Sequence, residues 1–453
     1  MNEQITWRLG HENIGRLLLS YAIPAVIGTM MNAMHHIINR IFIGQTVGAL
    51  AISGLTLTFP LLMFLQAFGM LVGAGTSTRV SIYLGRKAND MAENVLGNAL
   101  TLTFVIGVVT IIPSLIFMED LLVLFGGSEQ TIPYAKDYLY ISIPGNILAA
   151  LSFGFNAVMR ASGYPRKAMF IMVSGAVLNV FLDWLFIFVL DWGIKGAAIA
   201  TVFSLALTSS LVMLHFVSKD SIIRFHRKYF KLDSMIIWSI FTIGMSPFAM
   251  QIAGSLVNVI MNNSLKAYGG DLAIGANGII NSIGLLMVMF ILGISQGMQP
   301  IVGYNTGAGN YKRAHDTMWL VIIAATVITT AGGLCCIFFP HYIVRAFTPD
   351  AELLSISANG LMIFLSAGLV VGSQIVISQF FQSIGMAWKA MFLTLSRQCL
   401  FLIPMILVLP KWFELNGVWM SIPLSDVASA IAAWSFLLYH LRTVKKRESN
   451  YME

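Results

Sequence analysis

The sequence predicts an all-α polytopic membrane protein. Twelve transmembrane helices are expected, in two six-helix lobes related by a pseudo-two-fold axis along the membrane normal. Three observations carry this. Hydrophobic residues make up 57% of the 453 and charged residues 10%, against roughly 25% charged in an ordinary soluble domain. So much apolar surface needs a bilayer as its solvent. Runs of about 20 apolar residues, the length that crosses a hydrocarbon core, follow one another along the chain. The chain also matches itself at a shift of 222 residues.

Hydropathy places the first six spans near 17–43, 50–76, 94–117, 134–158, 168–190 and 195–217. The other six fall near 236–263, 271–299, 316–340, 353–382, 390–410 and 415–440. No cleavable signal peptide is expected, because the apolar stretch from Leu17 to Gly44 is too long for one and leads straight into further spans. The connecting loops alternate in basic content. Twenty of the 27 Lys and Arg residues fall on one side, six on the other, and Arg397 lies inside a span. Basic loops are retained in the cytoplasm, so both termini are expected there, in the cell (inner) membrane. The net charge of +7 then follows from topology and calls for no nucleic acid.

The 222-residue shift lays Leu50-Ala51-Ile52 on Leu272-Ala273-Ile274, Gly75 on Gly297, Gly85 on Gly307 and Gly163 on Gly385. It also lays Lys167-Ala168-Met169 on Lys389-Ala390-Met391. Six spans per repeat is an even number, so both lobes have one orientation, as in transporters built from parallel repeats. The expected organisation is an N-terminal lobe over 1–218, a basic linker over 219–235, a C-terminal lobe over 236–441 and a basic tail over 442–453. Two lobes rocking about a central cavity is the architecture of a secondary transporter. A channel more often uses several subunits round one pore, and a membrane enzyme does not need duplication.

The spans contain two carboxylates, Asp183 and Asp426. An ionised side chain near the bilayer centre costs at least ~2.5–3.5 kcal/mol on insertion scales, so each should face a cavity or a partner. Asn179 lies four residues before Asp183, on the same helix face. With a rise of 1.5 Å per residue, Asp183 sits roughly 12 Å, Thr201 roughly 9 Å and Asn39 roughly 8 Å below the outer ends of their spans. These oxygens suit a proton or a hard cation such as sodium. The alternative is a hydrogen-bonded pair that joins helices. Asp426 either binds a cationic substrate or pairs with Arg397. Met34 and Met287 are candidates for an adaptable pocket, against simple packing or lipid contact. Gly69 and Gly73 fit close helix packing. The histidine pair His35-His36 reads as a satisfied helix interface, and Cys335, Cys336 and Cys399 as small apolar filler. No phosphate-binding glycine loop, HExxH or nucleophile elbow occurs, so neither ATP drive nor enzymatic hydrolysis has support, and no cofactor is expected.

Four segments resemble the multidrug and toxic compound extrusion (MATE) family, and within it the DinF-type branch. They are residues 37–44 (IINRIFIG), Asn179-x-x-x-Asp183, residues 196–201 (GAAIAT) and residues 299–305 (QPIVGYN). The resemblance covers essentially the whole chain. It implies proton- or sodium-coupled antiport of organic cations and other drugs. It also implies a cation site on Asn39, Asn179, Asp183 and Thr201, with Tyr138 joining them. Asn39 stands where the branch usually has an aspartate, which leaves the site one acid. The other main branch has a glutamate in its seventh span, where this chain offers Gln251. A lipid-linked precursor flippase of the same superfamily is the alternative, but such cavities are often rich in basic residues and here Arg397 stands almost alone. The expected partners are the lipid bilayer and small organic substrates, and the expected state is a monomer.

Overall fold

A computed structural model describes residues 2–46, 49–125, 127, 129–347 and 350–450. Among these, eleven helices are long and apolar enough to cross a bilayer, and a bent pair supplies the twelfth. The first lobe holds α1 (Ile14–Thr46), α2 (Ala49–Gly85), α3 (Asn89–Ile116), α4 (Ile132–Ala161), α5 (Pro165–Val189) and α6 (Gly193–Val217). The second holds α7 (Ser234–Gly270), α8 (Leu272–Gly307), α9 (Tyr311–Phe338), α10 (Ala351–Phe364 with Gly368–Ser383), α11 (Ala387–Val408) and α12 (Pro410–Asn450). A short helix, Asn2–His11, precedes them.

Helix ends follow from local chemistry. Asp233 caps α7 by accepting from the amides of Met235 (2.8 Å) and Ile236 (3.4 Å), and Asp350 caps α10 by accepting from that of Leu353 (2.8 Å). Gly270, at φ 67° and ψ −163°, separates α7 from α8 in a conformation open to glycine. Two features depart from uninterrupted spans. The span expected over 353–382 is bent by 57° between its two helices. The second of them lies tightly on α9, where a Cβ at Gly372 would be 2.8 Å from the Ala325 carbonyl. Also, α5 ends in a π-helical stretch, Trp184–Val189, and α11 begins another at Ser396–Leu402.

The linker is not a free tether. Glu93 of α3 accepts from the Arg224 amide (3.1 Å) and pairs with His226 (3.1 Å). Asn98 donates to the Tyr229 carbonyl (3.3 Å) and accepts from the Asp233 amide (2.7 Å), while Thr101 donates to the Phe230 carbonyl (2.9 Å). The segment between the lobes is therefore docked along the first lobe.

The arrangement of the apolar core shows how the lobes meet. One large cluster mixes residues of both, including Leu71, Val80 and Phe155 with Ile240, Ile291 and Met298. Nearly all of it lies in the halves of the helices nearest the chain termini. In the opposite halves each lobe packs on its own: Leu61, Ile111 and Leu139 in the first, Leu265, Ile280 and Trp419 in the second. The lobes are joined at the terminus-bearing face and part toward the other. There Asn262 and Asn263 of α7 and Asn281 and Ser282 of α8 are exposed. Within the first lobe, Gly69 and Gly73 do serve close packing: their Cβ positions would be 3.1 Å from the Ala150 methyl and 2.5 Å from the Gly154 Cα of α4.

Candidate cation site

Asp183 is the last α-helical residue of α5 before the π-helical stretch, and it is fully buried. A π turn rotates the residues after it relative to those before, and such turns are frequent at functional sites. Asn179, one turn earlier on the same face, is also buried. From α4 comes Tyr138, whose phenol reaches the side chains of Ser142 and Thr201 and lies near Asp183. Thr201 of α6 donates to the Ala197 carbonyl of its own helix (3.0 Å), so towards Tyr138 its hydroxyl oxygen is the acceptor. The structure thus brings together Asp183, Tyr138 and Thr201 from three helices, with Asn179 stacked beside Asp183 on α5.

The site is roofed by apolar groups. Leu55, Ile187, Ile194, Ala197 and Ala198 cluster with Tyr138, and Phe42 and Tyr134 pack against them. Phe42 meets Phe188 edge-on at 5.1 Å, and Phe186 stacks on Trp192 at 5.0 Å. The α6 helix comes this near because Gly196 faces the Phe186 backbone, where a Cβ would be 3.0 Å from its carbonyl oxygen. A carboxylate in so dry a setting is costly to leave charged and alone. The hydroxyls and amide around it are the groups that can solvate it or share an ion with it.

Of the remaining predicted residues, Asp426, Met287 and Gln251 belong to helices of the second lobe. Asn39 lies on α1, which packs against α5, but its side chain is outside the described residues, as are those of His35 and His36. Asp426 is buried, and its carboxylate accepts from Arg397 Nε at 2.6 Å. Of the two readings of Asp426, the structure has the ion pair. Met287 is partly buried, and its terminal methyl occupies the space above Gly332 of α9. Met34 is half exposed. Gln251 is partly buried on α7. Two residues were not foreseen. Ser142 lies one turn from Tyr138, and that spacing alone could have suggested it. Arg160, at the end of α4, reaches across to the second lobe, and only the packing reveals its partner.

Two similar six-helix lobes, one of them with a buried carboxylate grouped with hydroxyls and an amide, are the build of a membrane transporter rather than of an enzyme. The MatE family model matches residues 24–185 and again 247–408, one match in each lobe and close to the 222-residue shift of the internal repeat. The chain belongs to the MatE family. The multidrug export protein MepA of Staphylococcus haemolyticus (strain JCSC1435) is 27% identical over 442 residues, 98% of this chain and 97% of that protein. MepA of Staphylococcus aureus (strain MSSA476) is 26% identical over 427 residues, 94% of each. Among solved structures, an outward-facing multidrug resistance MATE family transporter of the MOP superfamily superimposes with a TM-score of 0.91. It covers 97% of this chain and 98% of that one at 23% identity, a likeness of fold.

Proposed function

We propose that this chain is a cation-coupled antiporter that exports small, often cationic, organic compounds by alternating access of its two lobes. The observation that carries the reading is Asp183: a buried carboxylate at a π turn, grouped with Tyr138, Thr201 and Asn179, in a chain of the MatE family. Asp183 holds the coupling ion, a proton or a sodium ion. Asn179, Thr201 and Asn39 supply neutral oxygens, and the Tyr138 phenol orders them. The MepA relatives, both named as multidrug export proteins, favour drug export over the flippase reading.

The same reading gives the chain to the DinF-type branch and divides it into lobes 1–218 and 236–441, joined by the linker 219–235 and followed by the tail 442–453. It places the protein in the cell membrane as a monomer, with both termini and the basic loops in the cytoplasm. The closed end of the molecule is then the cytoplasmic end. The test is Asp183→Asn in proteoliposomes, a change nearly isosteric with the original. Expression and folding should stay intact while gradient-driven dye export is abolished. Normal uphill export by a well-folded variant refutes the assignment. Imposing pH and sodium gradients separately on the wild type identifies the ion.

A further inference from the structure

The seam between the lobes at the terminus-bearing face has two components. The first is backbone contact at glycines. A methyl group at Gly85 of α2 would overlap the Tyr304 carbonyl of α8, and one at Gly307 of α8 would overlap the Ile82 carbonyl of α2. These two contacts exchange under the 222-residue shift, which carries 82 to 304 and 85 to 307. Higher in the seam, Gly75 meets the Ile240 carbonyl, and Gly244 meets that of Leu71. Such contacts give tight closure with little specific attraction.

The second component is polar and one-sided. Gln299 of α8 donates through Nε2 to Ser77 Oγ (3.0 Å) and Thr78 Oγ1 (2.8 Å) of α2. One turn earlier on the same face, Gln296 accepts from Arg160 Nη2 (2.9 Å) at the end of α4. Arg160 is held in place by donating from Nη1 to Asn156, which itself donates to the Ala168 carbonyl of α5 (2.9 Å). The partners of this guanidinium named here are amides, and none is a carboxylate. A bond of this kind is strong enough to hold a seam and weak enough to open. Beside these residues, Thr76 Oγ1 and Ser295 Oγ are buried without a partner among the described residues. A permanent interface seldom leaves such groups unsatisfied.

We infer that Gln296 and Gln299, together with Arg160, Ser77 and Thr78, form a latch that holds this face closed, and that breaking it is the step that opens the face during transport. The inference rests on the proposed antiport cycle for its purpose, but the latch itself can be tested without transport. These are positioning residues, since none lies among the groups assigned to the coupling ion. The glycines let the helices meet, and the latch sets how often they stay together.

The experiment measures spin–spin distances in proteoliposomes between labels at Arg166→Cys and Trp388→Cys. Both positions are exposed, at the starts of α5 and α11 in different lobes, and 222 residues apart. Cys335, Cys336 and Cys399 are replaced by serine in this background. Gln299→Leu should raise the ratio of long to short distances about tenfold, as expected for the loss of two neutral hydrogen bonds. Ser77→Ala with Thr78→Val should give the same shift from the other side of the seam. Combining all three changes should add little more, because one interaction is being removed twice. Distance distributions unchanged in both the Gln299 variant and the Ser77/Thr78 variant overturn the latch. So do fully additive shifts. Dye export measured on the unlabelled wild type keeps the two ideas apart. A wild type that exports nothing, with latch variants that still open, overturns the antiporter reading and leaves the latch standing.

Discussion

Removing the guanidinium from the Arg397–Asp426 pair distinguishes a structural ion pair from a substrate site. Asp426 is 4% exposed and Arg397 29%, with 2.6 Å between Nε and Oδ1. Arg397→Gln leaves the carboxylate buried without its counter-charge. Breaking a buried pair from one side costs about 3–5 kcal/mol, and the solvent that reaches Arg397 puts the expectation at about 3. Asp426→Asn should cost less, about 1–2 kcal/mol, because the guanidinium left behind already touches solvent and the amide can still accept a bond. Replacing both, as Arg397→Met with Asp426→Leu, removes the desolvation cost together with the attraction and should come close to wild-type stability. Unfolding of the purified protein in detergent is compared across the four forms. Export of a cationic and a neutral dye is measured alongside. A structural pair predicts loss of stability in Arg397→Gln, recovery in the double variant, and equal effects on both dyes. Unchanged stability in Arg397→Gln refutes the reasoning. So does a selective loss of cationic dye export in a fully stable Asp426→Asn.

Two further outcomes concern the single acid of the cation site. If position 39 faces the site as proposed, Asn39→Asp adds a second acid to it, and paired acids split their titration; the pH profile of export should change shape, and an unaltered profile would mean that position 39 does not face the site. In the unmutated protein one elementary charge moving through ~100 mV is worth ~2.3 kcal/mol, so a neutral substrate should be concentrated at most roughly 50-fold. Two ions moved per neutral substrate, measured by flux ratio, would contradict a site with one carboxylate.

The class of this molecule was legible in composition and periodicity, because a span declares itself by its length and a duplication by its register. The lobes were legible for the same reason: Gly85 and Gly307, or Gly163 and Gly385, occupy matching turns and contacts. Asp183 could be singled out from sequence because an acid inside an apolar run is costly wherever it points, and Asn179 followed from a spacing of four. Tyr138 was harder to place, since a tyrosine near a span end has many uses, and its tie to Thr201 joins residues far apart in the chain. The contact between Asp426 and Arg397 could only be offered as one of two readings, because one-dimensional order does not say which faces of α11 and α12 meet. The bend in α10 and the docked linker were invisible for a related reason. Each results from contacts whose partners lie in other helices. The seam is the clearest case. Its glutamines, serine, threonine and arginine are unremarked in sequence, where Gln296 reads as one more polar residue in an apolar run. Only the crossing of α8 over α2 and α4 turns them into bonds between lobes. Hydropathy and local spacing act along the chain and are written there. Which face meets which is settled by packing all twelve helices at once, and only the tertiary structure decides it.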